Sequence, residues 1–463
     1  MKINRRQQQV LTTGGFLEVF KVALPLILSS SCHAANMFFD RLMLARYASD
    51  AVGAAFTGGL THFTIACIFI GTVGYTGTFV AQYEGARHRE RIGVAMWQGI
   101  WLTLLGSVLL TTGFWWAEPL FSCFGHDAAM LKGEVAYFQI LSLGSVTFMM
   151  VNVLCCFWNG RGRTDLVLAV SAVMTLFNLP LNYLLIYGGC GFPELGVSGA
   201  ALGTVLAEAA GMLIYLGFFF APSSCRHFKT HKPCWDWDLV KRMLRFGLPS
   251  GVHLALELIA FNTFGLLLGC YGAAVHEASG ITFGINNIAF CPVIGIGMAA
   301  SILVGQAVGA ENITLAKKAL KSCLRLAVGY TLVMMLLFTV FQDWVLAPFI
   351  RPGDAAQQET IQLSRYMLYF IAGYLLVDSI SICVSNALRG AGDTRYNMFV
   401  MTGVGIFLFA VPCVIVYKLG CPWWSLWIAL ESEILLLCIL FVLRYFSGKW
   451  TKMRVIEVSA VKD

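Results

Sequence analysis

Charged side chains are scarce in this sequence. Asp, Glu, Lys and Arg make up only 12% of its 463 residues, about half of the roughly 25% that is usual in soluble domains. Hydrophobic residues make up 58%, which is more apolar chain than a water-soluble core can bury. The composition therefore excludes an ordinary soluble protein and indicates a chain embedded in a lipid bilayer.

Motifs of enzymes and metal sites are also missing. The 15 cysteines have no paired CxxC spacing, and most, such as Cys155, Cys156, Cys383 and Cys438, fall inside apolar runs, where cysteine behaves as a small hydrophobic residue. The eight histidines form no HExxH arrangement, and the chain has no Walker-type phosphate loop. We therefore expect reduced thiols, no metal cluster and no enzymatic activity.

Long apolar runs recur from one end of the chain to the other. A helix needs about 20 apolar residues to cross the hydrocarbon core of a bilayer. Strands of a membrane barrel would alternate apolar and polar residues, whereas these runs are apolar all round. The sequence therefore predicts an all-α integral membrane protein with about twelve transmembrane helices, at 22–47, 54–83, 92–115, 135–157, 166–187, 199–220, 246–269, 281–305, 320–341, 361–387, 398–416 and 424–445.

Lys and Arg are distributed unequally between the two sides of these spans. With the N-terminus inside, all of them lie in inner segments except Arg41, Arg46, Lys132, Arg351, Arg365 and Lys418. Such a bias follows the positive-inside rule, so we expect a multi-pass protein of the cell (inner) membrane with both termini in the cytoplasm. No inner connection is long enough to form a soluble domain, which argues against nucleic-acid binding.

The two halves of the chain resemble each other. Residues 23–25 (ALP) match 247–249 (GLP), and residues 80–86 (VAQYEGA) match 304–310 (VGQAVGA) at the same offset. A third pair, 161–165 (RGRTD) and 389–393 (RGAGD), fits at an offset four residues longer. Six spans per half return the chain to its starting side. We therefore expect two six-helix bundles related by a pseudo-two-fold axis along the membrane normal, with a substrate path between them.

The predicted bundles comprise 1–222 and 242–450. Between them, residues 223–241 are basic, contain Lys232-Pro233 and lack an apolar run, which predicts a cytoplasmic linker on the hinge side. Residues 451–463 form a cytoplasmic tail. Because the duplication supplies a two-fold partnership within one chain, we expect a monomer.

Several short motifs occur in a fixed order along the chain. They are Pro25 with Phe39-Asp40, the repeated V-x-Q-x-x-G-A segments 80–86 and 304–310, the N-x-P-x-N segment 178–182, and the segments 194–201 (ELGVSGAA) and 388–394 (LRGAGDT). Together they resemble the multidrug and toxic compound extrusion (MATE) family, and within it the bacterial NorM-type branch. The resemblance implies a secondary active antiporter that exports cationic or amphipathic drugs and toxic compounds in exchange for Na⁺ or H⁺ by alternating access. It implies no cofactor besides the coupling ion.

The same resemblance assigns two acids to ion coupling. The NorM-type branch has an acid in span seven, eight residues after the proline of Gly-Leu-Pro, and here this position is Glu257. It has a second acid in span ten, eleven residues before the Arg-Gly of the next loop, and here this is Asp378. The archaeal-type branch has Asn-x-x-x-Asp in span five, where this chain has Asn178 and Asn182, which argues against a span-five carboxylate.

The positions of Glu257 and Asp378 support this assignment on physical grounds. Each lies about ten residues, or roughly 15 Å, from the inner end of its predicted helix, which places both near the midplane. Burial raises the pKa of a carboxyl group and a nearby cation lowers it, so such a pair can exchange a proton, or a Na⁺ held by oxygen ligands, for a cationic substrate. Alternatively, each carboxylate is held by a polar group of a neighbouring helix.

Three polar residues are predicted to line the cavity or to join helices. Tyr374 lies four residues before Asp378 on the same helix face, where its ring suits an organic cation or packs as an ordinary tyrosine. Asn178 and Asn182 share a face around Pro180 and either line the cavity or form helix–helix hydrogen bonds.

Asp40 and four further residues are less distinctive. Asp40 either takes part in ion coupling, as a proton or substrate site, or forms an ion pair with Arg41 at the outer end of its helix. Glu208, among small residues, is expected to meet a close-packed helix. We assign no role to Glu431 and Glu433, of which at most one should point inward at this spacing. The repeat counterpart of Glu257 is His33, which we interpret as a packing histidine.

One alternative function belongs to the same superfamily. Flippases of lipid-linked oligosaccharides share the plan of two related halves, and they tend to line their cavity with cationic residues that bind diphosphate. Nearly every Lys and Arg of this chain lies at a span end or in a loop. The distribution of charge therefore favours the antiporter, with small organic cations and the lipid bilayer as its partners.

Overall fold

The computed structural model describes residues 13–48, 51–123, 127–189, 191–350 and 355–457, and this part of the chain is mainly α-helical. The first half contains α1 (Phe16–Tyr47), α2 (Ala51–Gly74), α3 (Thr76–Gly85), α4 (Arg89–Thr111), α5 (Gly113–Ser122), α6 (Ala128–Leu143), α7 (Ser145–Gly160), α8 (Thr164–Tyr187), α9 (Val197–Phe219) and α10 (Pro222–Phe228). The second half contains α11 (Trp237–Gly269), α12 (Ala273–Gly309), α13 (Ile313–Val340), α14 (Gln342–Leu346), α15 (Ala355–Ala391), α16 (Thr394–Val404), α17 (Val411–Lys418) and α18 (Trp424–Phe446). A π-helical segment, Gly405–Ala410, joins α16 to α17.

The helices agree with the predicted membrane spans. Eleven helical stretches of the described chain are long and apolar enough to cross a membrane, and there are up to twelve if the pair α6 and α7, bent by 50°, counts as one span. This pair corresponds to the predicted span 135–157. The bend is at Gly144, where a Cβ atom would lie 2.3 Å from the side chain of Val205. The prediction of an all-α membrane fold with about twelve spans is confirmed.

The chain divides into two compact units whose boundaries lie inside helices. The N-unit is Leu28–Val252, and the C-unit comprises the described residues of Met1–Ile27 together with His253–Glu457. The division thus falls shortly after Pro25 in α1 and Pro249 in α11. Proline lacks the N–H group for a helical hydrogen bond and weakens the helix locally. These units have different bounds from the expected bundles 1–222 and 242–450.

Glycines allow the first parts of α1 and α11 to pack closely in their units. In the C-unit, a Cβ atom on Gly295 of α12 would lie 2.7 Å from the backbone nitrogen of Ile27. In the N-unit, Cβ atoms on Gly247 and Gly251 of α11 would lie 2.5 and 2.0 Å from carbonyl oxygens of α2. A larger residue at these positions would force the helix backbones apart, so the close approach depends on glycine.

The internal repeat is visible in the turn that follows α3 and α12. Arg87 and Glu311 occupy equivalent positions of the two turns, and their φ angles are +59° and +58°. The preceding residues, Ala86 and Ala310, each donate a backbone hydrogen bond of 2.9 Å to the carbonyl four residues earlier. Left-handed conformations are uncommon for residues other than glycine. The two halves therefore build the same turn from different side chains.

The third repeat pair is aligned differently from the prediction. Helices α8 and α16 begin at Thr164 and Thr394, and the residues before them have similar dihedral angles, with φ and ψ of −90° and 55° in one and −86° and 50° in the other. Thr164 is therefore equivalent to Thr394. The offset between these two residues is two residues longer than the offset that pairs 161–165 with 389–393. That pairing is therefore wrong by two residues.

The linker predicted at 223–241 packs on α4 within the N-unit. Trp97 donates its indole N–H to the carbonyl of Thr230 at 2.9 Å. The fully buried Gln98 donates to the carbonyl of Cys234 at 3.0 Å and accepts from the backbone N–H of Asp236 at 3.2 Å. These bonds satisfy backbone groups that a loop would otherwise leave to water. The linker therefore belongs to the folded N-unit.

The predicted tail at 451–463 is also partly folded. Val455 and Ile456 are buried, and Val455 lies against Gly392, where a Cβ atom would be 3.1 Å from its side chain. Arg454 forms an ion pair of 2.6 Å with Glu311. The tail thus packs on the C-unit up to residue 457, and residues 458–463 lie outside the described part of the chain.

Candidate functional site

Three long helices of the C-unit bring acidic side chains near one another. Glu257 is on α11, Asp378 is on α15 and Glu433 is on α18. Asp378 interacts electrostatically with Glu257, and Glu433 interacts with both. Like charges at close range repel each other, and a bound cation or proton relieves the repulsion. In the described part of the chain, no group of three such residues is close enough to chelate a metal ion.

The carboxylate of Glu257 has a histidine partner one helical turn earlier. The distance between His253 Nε2 and Glu257 Oε2 is 3.5 Å. The side chain of His253 is only 18% exposed, whereas that of Glu257 is 57% exposed. Protein atoms therefore leave more than half of the Glu257 side chain uncovered. His253 was not predicted from the sequence, although its i,i+4 spacing to Glu257 is the signal that identifies the pair.

Tyr374 lies close to the acids but is buried. It interacts electrostatically with Asp378 and Glu431, and only 6% of the residue is exposed. The ring packs in the hydrophobic core of the C-unit together with Leu375 and Ile371. A covered ring offers little surface to an organic cation, so its burial favours the packing interpretation of Tyr374.

Glu431 and Glu433 both reach neighbouring helices. A Cβ atom on Gly373 of α15 would lie 3.2 Å from Glu431 Oε1, and one on Gly405 would lie 3.4 Å from Glu433 Oε1. Gly405 is the first residue of the π-helical segment, a rare conformation that is frequent at functional sites. Both acids thus approach helices packed against α18, and the expectation that at most one of them points inward stays a prediction.

A layer of aromatic rings packs next to the acids in the C-unit. The fully buried Trp427 stacks on Phe283 and Phe370, with ring centroids 5.3 and 5.8 Å apart, and forms an edge-to-face contact with Phe264 at a centroid distance of 5.7 Å. Phe264, Phe370 and Trp427 lie about two turns from the acids on α11, α15 and α18, and Phe283 lies on α12. Offset and edge-to-face contacts of this kind are favourable. The layer thus holds the acid-bearing helices in register.

The N-unit contains a second polar group, built on α1 and α8. The side-chain amide of Asn182 donates hydrogen bonds to Asp40 and, at 3.1 Å, to Asn178 Oδ1. Asn178 and Asn182 are buried, and Gly203 of α9 provides space for Asn182, since a Cβ atom there would lie 1.9 Å from its Oδ1. The structure therefore brings Asp40, Asn178 and Asn182 together, with a helix–helix hydrogen bond from Asn182 to Asp40 and a bond within α8 to Asn178.

Asp40 is not paired with its neighbour Arg41. No salt bridge between them occurs in the described chain, and the guanidinium of Arg41 instead lies over the ring of Phe56, 5.4 Å from its centroid. The expected alternative of an interfacial ion pair is therefore wrong. The side-chain amide of Asn182 is the direct partner of the Asp40 carboxylate, and Arg41 interacts with it electrostatically without forming a salt bridge.

Two other residues of the N-unit have packing or surface positions. Glu208 of α9 accepts a long hydrogen bond of 3.5 Å from Thr147 Oγ1 of α7, as expected for an acid that meets a close-packed helix. His33 lies on α1, and its interpretation as a packing histidine stays a prediction.

Sequence comparison identifies related proteins over most of the chain. The probable multidrug resistance protein NorM of Rhizobium meliloti (strain 1021) is 28% identical over 365 residues, which cover 78% of this chain and 77% of the relative. The multidrug resistance protein PmpM of Pseudomonas aeruginosa is 26% identical over 444 residues, which cover 91% of this chain and 90% of the relative. The probable multidrug resistance protein NorM of Thermotoga maritima is 26% identical over an alignment of 464 positions, which covers 96% of this chain and 95% of the relative.

Solved structures with the same fold agree with these relatives. A MOP superfamily transporter from Pyrococcus furiosus has a TM-score of 0.87 and 18% identity, with 98% of this chain and 100% of that chain covered. A multidrug resistance MATE family transporter in an outward-facing conformation gives the same values. The MatE family model matches the chain twice, at residues 25–184 and 249–415. These two matches begin at the repeated prolines and together cover more than half of the sequence, so the chain belongs to the MatE family of membrane transporters.

Proposed function

We propose that the protein is a secondary active antiporter that exports cationic or amphipathic organic compounds in exchange for Na⁺ or H⁺ by alternating access. The observation that carries the proposal is the group of three carboxylates, Glu257, Asp378 and Glu433, on the long helices of the C-unit. Relatives named as multidrug resistance proteins support the substrate class.

The physical basis of the exchange is competition for one negative site. Each ionised carboxylate inside a span is unfavourable by about 2.5 kcal/mol or more, and a proton, a Na⁺ ion or a cationic substrate relieves this penalty. Ligands that neutralise the same charges exclude one another, so binding of the coupling ion favours release of the substrate. In this scheme Glu257 and Asp378 bind the ion, and His253 orients Glu257. Asp40 with Asn178 and Asn182 forms a second polar site in the N-unit.

Transport by purified protein in proteoliposomes tests this function. We expect a cationic dye to move against its own gradient when an opposing Na⁺ or proton gradient is imposed, and an ionophore that dissipates the active gradient to stop it. Imposing each gradient separately identifies the coupling ion. Dye movement that is the same with and without both gradients would contradict the antiporter. Movement of a lipid-linked oligosaccharide without dye transport would favour the flippase.

We propose that both termini face the cytoplasm of a cell inner membrane. The basic segment 87–91 and the linker would then lie inside, whereas Cys123 and Cys270, at the opposite ends of their helices, would lie outside. Both cysteines are exposed, as is His231 in the linker. In intact spheroplasts, an impermeant thiol reagent should label Cys123 and Cys270 but not a cysteine introduced by His231→Cys. The reverse pattern, mapped by mass spectrometry, would overturn the orientation.

We also propose that the protein works as a monomer, because one chain contains both repeats. Sedimentation in detergent checks this proposal, with one chain per particle as the expected result. A stable dimer would contradict it.

A further inference from the structure

A basic cavity lies at one membrane end of the N-unit. It has a volume of about 470 Å³ and is lined by residues 87–91, in the turn from α3 into α4, together with Arg226 and His227 of α10. Helices α3, α4 and α9 all have an end on this side of the N-unit, because the chain passes from α3 into α4 and from α9 into α10 there. The cavity is therefore at the level where lipid headgroups meet the protein.

The charges around the cavity leave three arginines for a ligand. Glu90 is paired with Lys229 at 2.6 Å, and Arg91 is paired with Asp236 at 3.0 Å. Arg87, Arg89 and Arg226 are exposed and form no salt bridge with a residue that the structure describes. The cavity thus has an excess of positive charge, which attracts anions.

The other half of the chain shows that the fold does not need these arginines. The equivalent turn after α12 has the same left-handed residue and the same hydrogen bond, but it contains Glu311 where the first turn contains Arg87. The sequence that follows Glu311 is Asn-Ile-Thr-Leu, without a charge. The same turn therefore forms with Glu311 in the position of Arg87, so the stability of the turn does not require the arginines at 87 and 89.

Contacts on α10 hold the cavity open in a fixed shape. The carbonyl of Phe228 lies over Gly93 of α4, where a Cβ atom would be only 2.0 Å away. The guanidinium of Arg161 lies 4.1 Å from the centroid of the Phe228 ring, a favourable cation–π distance. Arg226 is therefore placed opposite Arg87 and Arg89 by packing within the N-unit, before any ligand binds.

Exposed aromatic residues next to the cavity mark a lipid interface. Phe218 and Phe220, at the end of α9, are 48% and 45% exposed, and Trp235 and Trp237 are 58% and 54% exposed. The two tryptophans flank Asp236, the partner of Arg91. Aromatic belts of this kind are typical of the boundary between hydrocarbon and headgroups. An anion that reaches the arginines here is adjacent to surface that suits acyl chains.

We propose that this cavity binds the phosphate-bearing headgroup of an anionic membrane lipid, with Arg87, Arg89 and Arg226 as its ligands. Guanidinium groups bind phosphate through paired N–H donors, and basic pockets beside membrane helices bind anionic headgroups. A volume of about 470 Å³ accommodates a headgroup but not a whole lipid. A bound lipid would join the α3–α4 turn to α10 and would stabilise the folded linker.

Lipid binding to the purified full-length protein tests the proposal. Native mass spectrometry in detergent measures the affinity for phosphatidylglycerol and, as a neutral reference, phosphatidylcholine. The test variant is Arg87→Gln/Arg89→Gln/Arg226→Gln. The matched control is Lys317→Gln/Lys318→Gln/Lys321→Gln, which removes the same charge from an exposed face of α13. A basic residue near a membrane surface contributes about fivefold in affinity, so we expect phosphatidylglycerol to bind about 100-fold more weakly to the arginine variant.

The possible results distinguish a lipid ligand from a soluble anion. Retained phosphatidylglycerol binding in the arginine variant, or equal weakening in both triple variants, would overturn the proposal. A second experiment measures the binding of inorganic phosphate or pyrophosphate to delipidated protein. If these anions bind through the three arginines while phosphatidylglycerol does not depend on them, the ligand is a soluble phosphate and the lipid proposal fails. If the triple variant does not fold, Arg226→Gln alone should still weaken lipid binding about fivefold, and an unchanged affinity would overturn the proposal.

Discussion

Glu257→Gln is expected to abolish ion-driven export while the protein remains inserted in the membrane. Glutamine has the shape of glutamate but carries no charge and binds no exchangeable proton, so neither a cation nor a proton can be exchanged at this position. We expect the initial rate of dye transport in proteoliposomes to fall by about 100-fold or more, the effect usual for loss of a positioned proton-transfer group. The variant should fold, because removing one of three like charges reduces repulsion with Asp378 and Glu433.

A matched control for this variant is Glu359→Gln. Glu359 is an exposed residue in the first turns of α15, in the same unit, and the exchange is chemically identical. Its transport rate and melting temperature should equal those of the unmodified protein. If Glu257→Gln itself transports dye at the normal rate under an imposed gradient, Glu257 does not bind the coupling ion.

Asp378→Asn is expected to lower the initial rate of dye transport by a similar factor. A double variant then shows whether the two acids belong to one site. If Asp378 and Glu257 neutralise the same bound cation, removing either one disables the site, and Glu257→Gln/Asp378→Asn should be no slower than the slower single variant. Two independent sites would instead give losses that multiply. The comparison uses initial transport rates at saturating ion concentration, and protein levels in the membrane correct for differences in insertion.

The control for this series is Asp343→Asn. Asp343 forms an exposed ion pair of 2.7 Å with Arg365, and its side chain is 75% exposed. Exposed pairs contribute little to stability, so this variant should transport normally. Normal ion-dependent transport by Asp378→Asn would remove Asp378 from the coupling site.

Most of the fold was predictable because the bilayer restricts the alternatives. Hydrocarbon offers no partner for backbone N–H and C=O groups, so an apolar run of about 20 residues must become a helix. The repeated V-x-Q-x-x-G-A segments likewise predicted two related halves, and the left-handed Arg87 and Glu311 show the relation in equivalent turns. The bend at Gly144 and the π-helical segment at Gly405 were not predictable. Both depend on contacts with helices distant in sequence, Val205 in one case and Glu433 in the other.

The acids of the candidate site were predictable in part. Glu257 and Asp378 stand out as charged residues deep within apolar runs, and this holds whatever surrounds them. The partners of the acids do not stand out in this way. Glu433 was assigned no role because helical spacing alone does not reveal which neighbouring helix a side chain meets, and Glu433 lies against Gly405 of the π-helical segment. Asp40 was compared with Arg41, its neighbour in sequence, whereas its partner is Asn182 on another helix.

Composition and the spacing of apolar and charged residues were sufficient to establish a helical membrane protein, and the repeated motifs showed that its two halves are related. The helical membrane fold follows from the solvent, which acts on every segment separately. Side-chain contacts over long sequence distances required the folded chain. Examples are the placement of Arg226 beside Arg87 and Arg89, and of the first part of α1 in the C-unit. Such contacts depend on the rotation and close approach of helices, and glycines such as Gly93 and Gly295 set that approach through packing rather than through any local pattern.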